Sequence, residues 1–240
     1  MKIDDASIAR AGWARFTGLE LAHPATIALA NASQLRRLKR GTALLVEGQL
    51  DRTIYLLVSG ALRTLRYLSD GQEVWLTDAQ PGELVGEMAA LADSARTSSV
   101  FTRTDASVLA IEPAAFFSVA REHGSVGLAI AKLLALRLAH TSGQIADLAA
   151  LPVASRLHRE LIRIGQPSGA VGELVRIEAP PSVSDLAHRI HASREAASRA
   201  LRELETRKLV TRSGETWILP MPLEDVVPGG AGHSPEPGCR

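Results

Sequence analysis

The chain has 240 residues, room for one or two domains, and its 46% hydrophobic and 22% charged residues are those of an ordinary globular protein, not a disordered or fibrous one. Its 27 Lys and Arg almost cancel its 26 Asp and Glu, so the total charge announces neither a nucleic-acid nor a membrane partner, although a local patch can hide inside the sum. Aromatic residues at 4% are too few for a surface that stacks single-stranded nucleic acid, and the lone cysteine, Cys239, excludes an internal disulfide framework and any cysteine-ligated zinc or iron-sulfur centre.

The N-terminal MKIDDASIAR is acidic where a secretion signal would be basic, and no apolar run follows it. The most apolar stretch, 126–138, is interrupted by Lys132 and Arg137 and is too short to span a bilayer, so a cytoplasmic protein without a membrane partner is expected. Residues 1–40 carry only short helical signals. From Gly41 to Glu112 the texture changes, and glycines at 41, 48, 60, 71, 82 and 86 punctuate the segments 53–59 (TIYLLVS), 61–68 (ALRTLRYL), 73–77 and 107–111. Short strands with regular turn signals predict a small antiparallel barrel or sandwich.

Within this region Gly86 to Ser99 reads GEMAALADSARTSS. A glycine ahead of a short helical turn exposes N–H groups that can hold a phosphate; Glu87 can bond a ribose hydroxyl, and Arg96 can face the phosphate. The same residues also read as an acidic complement to a helix N-terminus and a surface cation on a strand.

A proline-free run from Ser125 to Ala150 predicts a helix about 39 Å long at ~1.5 Å per residue. Ala131, Leu134, Leu138, Thr141, Ile145 and Leu148 step alternately by three and four, the heptad spacing of helices that pair along one face. That length exceeds the need of one domain and predicts a two-fold dimer helix; a core helix of one subunit is the alternative. Thr141, followed by Ser142, is polar within this seam, so its hydroxyl either bonds back to a carbonyl one turn earlier or meets something polar at that level. Pro152 ends the helix and places a domain boundary near Ala150, after which an amphipathic segment, 153–164, runs into the loop 165–172 (GQPSGAVG).

Residues 182–212 read SVSDLAHRIHASREAASRALRELETRKLVTR. Ser182 or Ser184 can cap a first helix with Leu186, Ala187 and Ile190 on its apolar side, and Ser193 can cap a second. At about 100° per residue, Ala196, Ala197, Ala200, Leu201 and Leu204 share one side of that second helix, opposite Arg194, Glu195, Ser198, Arg199, Arg202 and Glu205. Two such helices joined by the His191-Ala192 turn make a helix-turn-helix, whose second helix enters the DNA major groove. Its polar face suits base edges, because arginine bonds guanine bidentately and a carboxylate accepts from cytosine. The segment holds seven basic residues against four acidic ones, a local charge of +3 that leaves −2 for the rest of the chain. Leu209 to Ile218 adds strand, Ser213-Gly214 turn and strand, as in a wing.

No GxSxG elbow, phosphate-loop lysine motif or HExxH occurs and the seven histidines are scattered, so neither an enzyme nor a metal site is predicted. His23 stands alone as a possible haem ligand, and His188 with His191 reads as helix surface.

The glycine-punctuated strands, the Gly86-Glu87 to Arg96-Thr97 cassette, the long helix with Thr141-Ser142, and Ser193-Arg194-Glu195 with Arg199 together resemble the Crp/Fnr transcription regulators, close to their cyclic AMP receptor group, from about Gly41 to Leu219. The resemblance implies an α+β fold in three parts: a cyclic-nucleotide-binding β-roll of the double-stranded jelly-roll type with a dimerisation helix (1–150, the helix at about 125–150), a winged helix-turn-helix DNA-binding domain (151–220), and a tail, 221–240, expected to be disordered. It implies that Gly86 and Glu87 hold a ribose with Met88 also at the ligand, that Arg96 and Thr97 hold the cyclic phosphate, and that Thr141 with Ser142 of the partner subunit contacts the adenine. It puts Arg194, Glu195 and Arg199 on base edges, with Arg202 nearby on the DNA backbone and Ser193 also among the DNA-binding residues. The implied partners are a palindromic double-stranded DNA site, cyclic AMP as a non-covalent effector, a second copy of the chain and RNA polymerase.

Three departures bear on these expectations. The cassette is one residue shorter between Glu87 and Arg96 than in the enterobacterial receptor. Thr97 is similar to cyclic-GMP-selective domains, which leaves cyclic GMP or another small molecule as an alternative effector, beside a vestigial pocket with constitutive DNA binding. His191 stands where the turn usually has glycine and is predicted to carry a positive φ at some cost.

Overall fold

The computed structural model describes residues 4–68, 71, 73–165 and 174–220; the expected loop at 166–172, the tail at 221–240 and Cys239 lie outside the described residues. Asp4 accepts a hydrogen bond from the Ser7 N–H and opens α1 (Asp5–Thr17), which Gly18 closes at φ 72°. His23 caps α2 (Pro24–Asn31), where a proline at the start needs no N–H of its own. Eight strands follow: β1 (Ser33–Leu38), β2 (Ala43–Leu45), β3 (Ile54–Ser59), β4 (Leu62–Tyr67), β5 (Glu73–Ala79), β6 (Leu84–Val85), then, after the short α3 (Glu87–Leu91), β7 (Ser99–Thr102) and β8 (Ala106–Ile111). They form two four-stranded antiparallel sheets, in the orders β1-β8-β3-β6 and β2-β7-β4-β5. This is the expected roll, and the four segments read as strands coincide with β3, β4, β5 and β8 to within two residues.

The continuous apolar run of β3 has a tertiary reason, since β3 and β8 are buried on both faces. Leu57, Val85, Val100 and Val108 fill the interior between the sheets. Ile54, Leu56, Leu109 and Ile111 face outward against Trp13, Leu29 and Phe116 of the helices. α4 (Pro113–Glu122) and α5 (Gly124–Ala150) complete this covering layer, to which α5 gives Val126 and Ile130. Leu133 and Leu134 are half-buried against the same core, so Leu134, expected in the seam, packs in part on the roll. Val126, Ile130, Leu133 and Arg137 recur at the helical period on that face, leaving Ala131, Ala135, Leu138, Ser142 and Ile145 exposed.

The chain divides into two compact units, Met1–His140 and Thr141–Arg240, and the division falls inside α5. In the second unit, α6 (Val153–Gly165) is followed by β9 (Leu174–Glu178), α7 (Val183–Arg189), α8 (Arg194–Thr206), β10 (Thr211–Ser213) and β11 (Thr216–Pro220), with a sheet ordered β10-β11-β9. Its core is built from Leu157 and Leu161 of α6, Leu186 of α7, Leu201 and Leu204 of α8, and Trp217 and Leu219 of β11. This is a winged helix-turn-helix. Among the described residues no helix is long and apolar enough to cross a membrane.

Candidate functional site

The cassette is set at the point where β6 turns into α3. Gly86 makes that turn at φ 82°, and a Cβ there would lie 2.6 Å from Arg96 Nη1 and 3.0 Å from the Thr53 carbonyl oxygen, so the position demands glycine for both its backbone and its space. The Arg96 side chain is 2% exposed. Its Nη1 donates to the Gly86 carbonyl at 2.8 Å, and its Nη2 donates to the Thr53 carbonyl at 2.7 Å and to Asp51 Oδ2 at 2.8 Å. The Arg96 N–H donates to the Gln49 carbonyl and the Arg96 carbonyl accepts from Gly48, so the backbone is pinned as firmly as the guanidinium.

Glu87, the first residue of α3, is 1% exposed and accepts a hydrogen bond from Arg137 of α5, whose other terminal nitrogen donates to the Leu84 carbonyl at 2.6 Å. Burial pushes the Glu87 carboxyl up, and the nearby Arg137 and Arg96 charges oppose that shift without cancelling it. Burial would also raise Asp51, but the bonds it accepts from Arg96 and Thr53 outweigh it and hold that carboxyl below its usual range. Two polar atoms here are buried with no hydrogen-bond partner among the described residues: the acceptor Glu87 Oε2 and the donor Arg96 Nε. Such atoms are costly unless a group with complementary hydrogen-bonding capacity meets them. A hydroxyl donor and an anionic oxygen are the groups this pair fits.

Of the sequence-predicted residues, the structure brings Gly86, Glu87 and Arg96 together. Met88 is 50% exposed on α3, and Thr97 is exposed beside Arg96 in sequence. Thr141 and Ser142 are exposed on α5 and belong to the second compact unit. Arg137 and Asp51 were missed. Arg137 is marked in the sequence only by its interruption of an apolar helix, and Asp51 sits in a turn with no sequence mark of its own.

In the second unit Ser182 Oγ accepts from the Asp185 N–H at 3.1 Å to cap α7, and Ser193 Oγ accepts from the Ala196 N–H at 3.1 Å to cap α8. His191 carries φ 49°, as expected where glycine was displaced. The turn around it is held from α6, where Arg156 Nη1 donates to the Ile190 carbonyl at 2.7 Å and Glu160 accepts from Arg189 at 3.3 Å. α8 buries Ala197, Ala200, Leu201 and Leu204, and exposes Ser193, Arg194, Glu195, Arg199 and Arg202. The Glu195 carboxyl is held low, first by the N–H of its own residue at the start of the helix and then by Ser193. Glu205, read as part of the polar face, instead pairs with Arg212 of the wing at 2.5 Å. Among the described residues no group of three or more His, Cys, Asp or Glu could hold a metal ion.

Comparison with known proteins matches residues 35–123 to the cyclic nucleotide-binding domain and residues 155–222 to the Crp-like helix-turn-helix domain. The "CRP-like cAMP-activated global transcriptional regulator" of Mycobacterium tuberculosis is 28% identical over 217 residues, 90% of this chain and 95% of that protein. The "cAMP-activated global transcriptional regulator CRP" of Pasteurella multocida is 24% identical over 179 residues, 74% of this chain and 86% of that protein. Among solved structures, the c-di-GMP-responsive global regulator CLP of Xanthomonas campestris superposes with a TM-score of 0.69 at 25% identity, over 82% of this chain and 99% of that one.

Proposed function

We propose that this chain, a Crp/Fnr-family transcription regulator with a cyclic-nucleotide-binding domain followed by a Crp-like helix-turn-helix domain, acts in the cytoplasm as a homodimer whose DNA binding is switched by cyclic AMP. The observation that carries this reading is the buried cassette, in which Glu87 Oε2 and Arg96 Nε have no partner among the described residues. Glu87 accepts from the ribose hydroxyl, Arg96 gives the cyclic phosphate a charge-assisted bond, and Met88 and Thr97 border the nucleotide. Arg137 keeps the Glu87 carboxylate in place. The exposed face of α5 pairs with a second copy, and Thr141 with Ser142 of the partner subunit meets the base. Arg194, Glu195 and Arg199 read base edges, Ser193 lies at the DNA at the start of α8, Arg202 lies on the backbone, and RNA polymerase is the downstream partner.

Isothermal titration of the full chain with cyclic AMP, cyclic GMP and cyclic di-GMP tests the effector. Saturable heat with cyclic AMP at the lowest concentration supports the reading; heat with none of the three overturns it. Thr97 favours cyclic GMP as the second reading, and a stronger response to that nucleotide would install it.

A further inference from the structure

Arg96 is already neutralised from within the chain. Its two carbonyl acceptors, on Gly86 and Thr53, are uncharged and lie in half-buried and buried residues, whereas its third partner, Asp51, is 46% exposed and carries a full negative charge. A phosphate from solvent that takes the unpartnered Arg96 Nε together with Nη2 therefore meets the Asp51 carboxylate at Nη2. The two oxygens of Asp51 divide their work: Oδ1 accepts from the Thr53 N–H at 3.0 Å and the Thr53 hydroxyl at 2.7 Å, closing a local turn, while Oδ2 serves Arg96 alone. The loop that carries Asp51 is tethered again one residue later, where Arg52 pairs with Asp93 beyond α3.

We propose that Asp51 is an internal competitor for the effector phosphate, an intramolecular carboxylate that holds Arg96 in the free protein and sets the affinity and the release of the nucleotide. The proposal rests on the cyclic-nucleotide reading above. Binding exchanges one monoanion on Arg96 for another: the phosphodiester takes the guanidinium, and Asp51 swings into solvent as a free carboxylate. Arg96 needs no reorientation, because the bonds to Gly86 and Thr53 keep its plane in place throughout. Asp51 is a positioning residue in this exchange and touches no nucleotide atom in the bound state.

Asp51→Asn tests the proposal, since the amide oxygen keeps the Thr53 turn and only the Arg96-facing acceptor is lost. Titration of the full chain with cyclic AMP is expected to show affinity about three- to tenfold tighter than the parent, the range of one partly exposed ion pair, with slower release of a fluorescent cyclic AMP analogue. Asp51→Ser, which retains a hydroxyl for the Thr53 N–H, is expected to tighten binding likewise and guards against a local fault of the amide. Asp93→Asn frees Arg52 but leaves Arg96 paired, and is expected to bind within twofold of the parent. Equal or weaker binding by both Asp51 variants, with the parent chain binding normally, overturns the competition; so does equal tightening by Asp93→Asn, which would assign the effect to loop release. Absence of binding by the parent and both Asp51 variants would overturn the cyclic-nucleotide reading itself, and this proposal with it.

Discussion

At the level of single residues, the cassette pairs two buried charges, Arg96 and Glu87, each with a more exposed partner of opposite sign. Glu87 is more deeply buried than Arg137, its partner, so removing the arginine strands a carboxylate that water barely reaches. We expect Arg137→Ala to cost about 2–3 kcal/mol at neutral pH, less than the 3–5 typical of a fully buried pair because Arg137 is partly exposed, and Arg137→Ala/Glu87→Gln to restore much of it; thermal melts of the three chains check this. Gly86 is constrained twice, by its left-handed backbone and by Arg96 Nη1 at 2.6 Å from any added carbon. Gly86→Ala should lose cyclic-nucleotide heat altogether in titration and lower stability by about 1–2 kcal/mol. On the DNA side, Arg199→Ala is expected to cost about 1–3 kcal/mol and relax preference at one base position, measured by binding to a panel of single-base variants; uniform loss across the panel would mark a phosphate contact instead.

Among the elements, α6 carries an unusual burden. His158 is fully buried in the core that α6 shares with α8, and neither ring nitrogen has a partner among the described residues, so burial first and the Arg207 charge second push its pKa down. His191, in the helix-turn-helix turn, is lowered in the same way by burial and by Arg156, with Glu160 opposing. A histidine depressed in the folded state contributes nothing to pH dependence while it is neutral in both states, and the fold loses stability as pH falls below the unfolded value of about 6.5, where only the unfolded chain takes up the proton. Each such histidine can remove up to about 1.4 kcal/mol per pH unit. The second unit should therefore melt at progressively lower temperature between neutral pH and about pH 5.5, and His158→Leu should flatten that slope. α5 serves two surfaces at once: one face covers the roll, while Leu138 at 69% exposed and Ile145 lie on the other. Leu138→Asp should shift the chain from dimer to monomer in sedimentation experiments without unfolding the roll.

For the molecule as a whole, regulation requires that the nucleotide prefer one arrangement of the dimer, and the strength of the preference bounds the switch. Moving a population from 1:99 to 99:1 takes about 10⁴-fold tighter binding to the favoured state. On the proposed dimer reading, the two copies of α8 would reach half-sites about 34 Å apart in that state, one turn of DNA. Footprinting of a palindromic site should then show protection that depends on cyclic AMP; identical protection with and without nucleotide would leave constitutive DNA binding as the function.

Much of this architecture was legible in local residue patterns. The strands β3, β4, β5 and β8, the long helix, both serine caps and the sidedness of α8 follow from periodicity and capping chemistry, which act over a few neighbouring residues, whereas the positive φ of His191 was expected from the family resemblance. The two-residue β6 and the three-residue β2 carry too little pattern to be seen, and β1 gives no clear alternation because its exposed positions are irregular. Cassette partners were legible only on one side: Gly86, Glu87 and Arg96 stand close in sequence, whereas Asp51 and Arg137 lie 45 and 50 residues from the groups they pair with. Which face of α5 Leu134 joins, and which charge neutralises Arg96, were likewise decided only by tertiary structure. Both depend on which surfaces meet after the chain has folded back on itself, and local spacing holds no record of that.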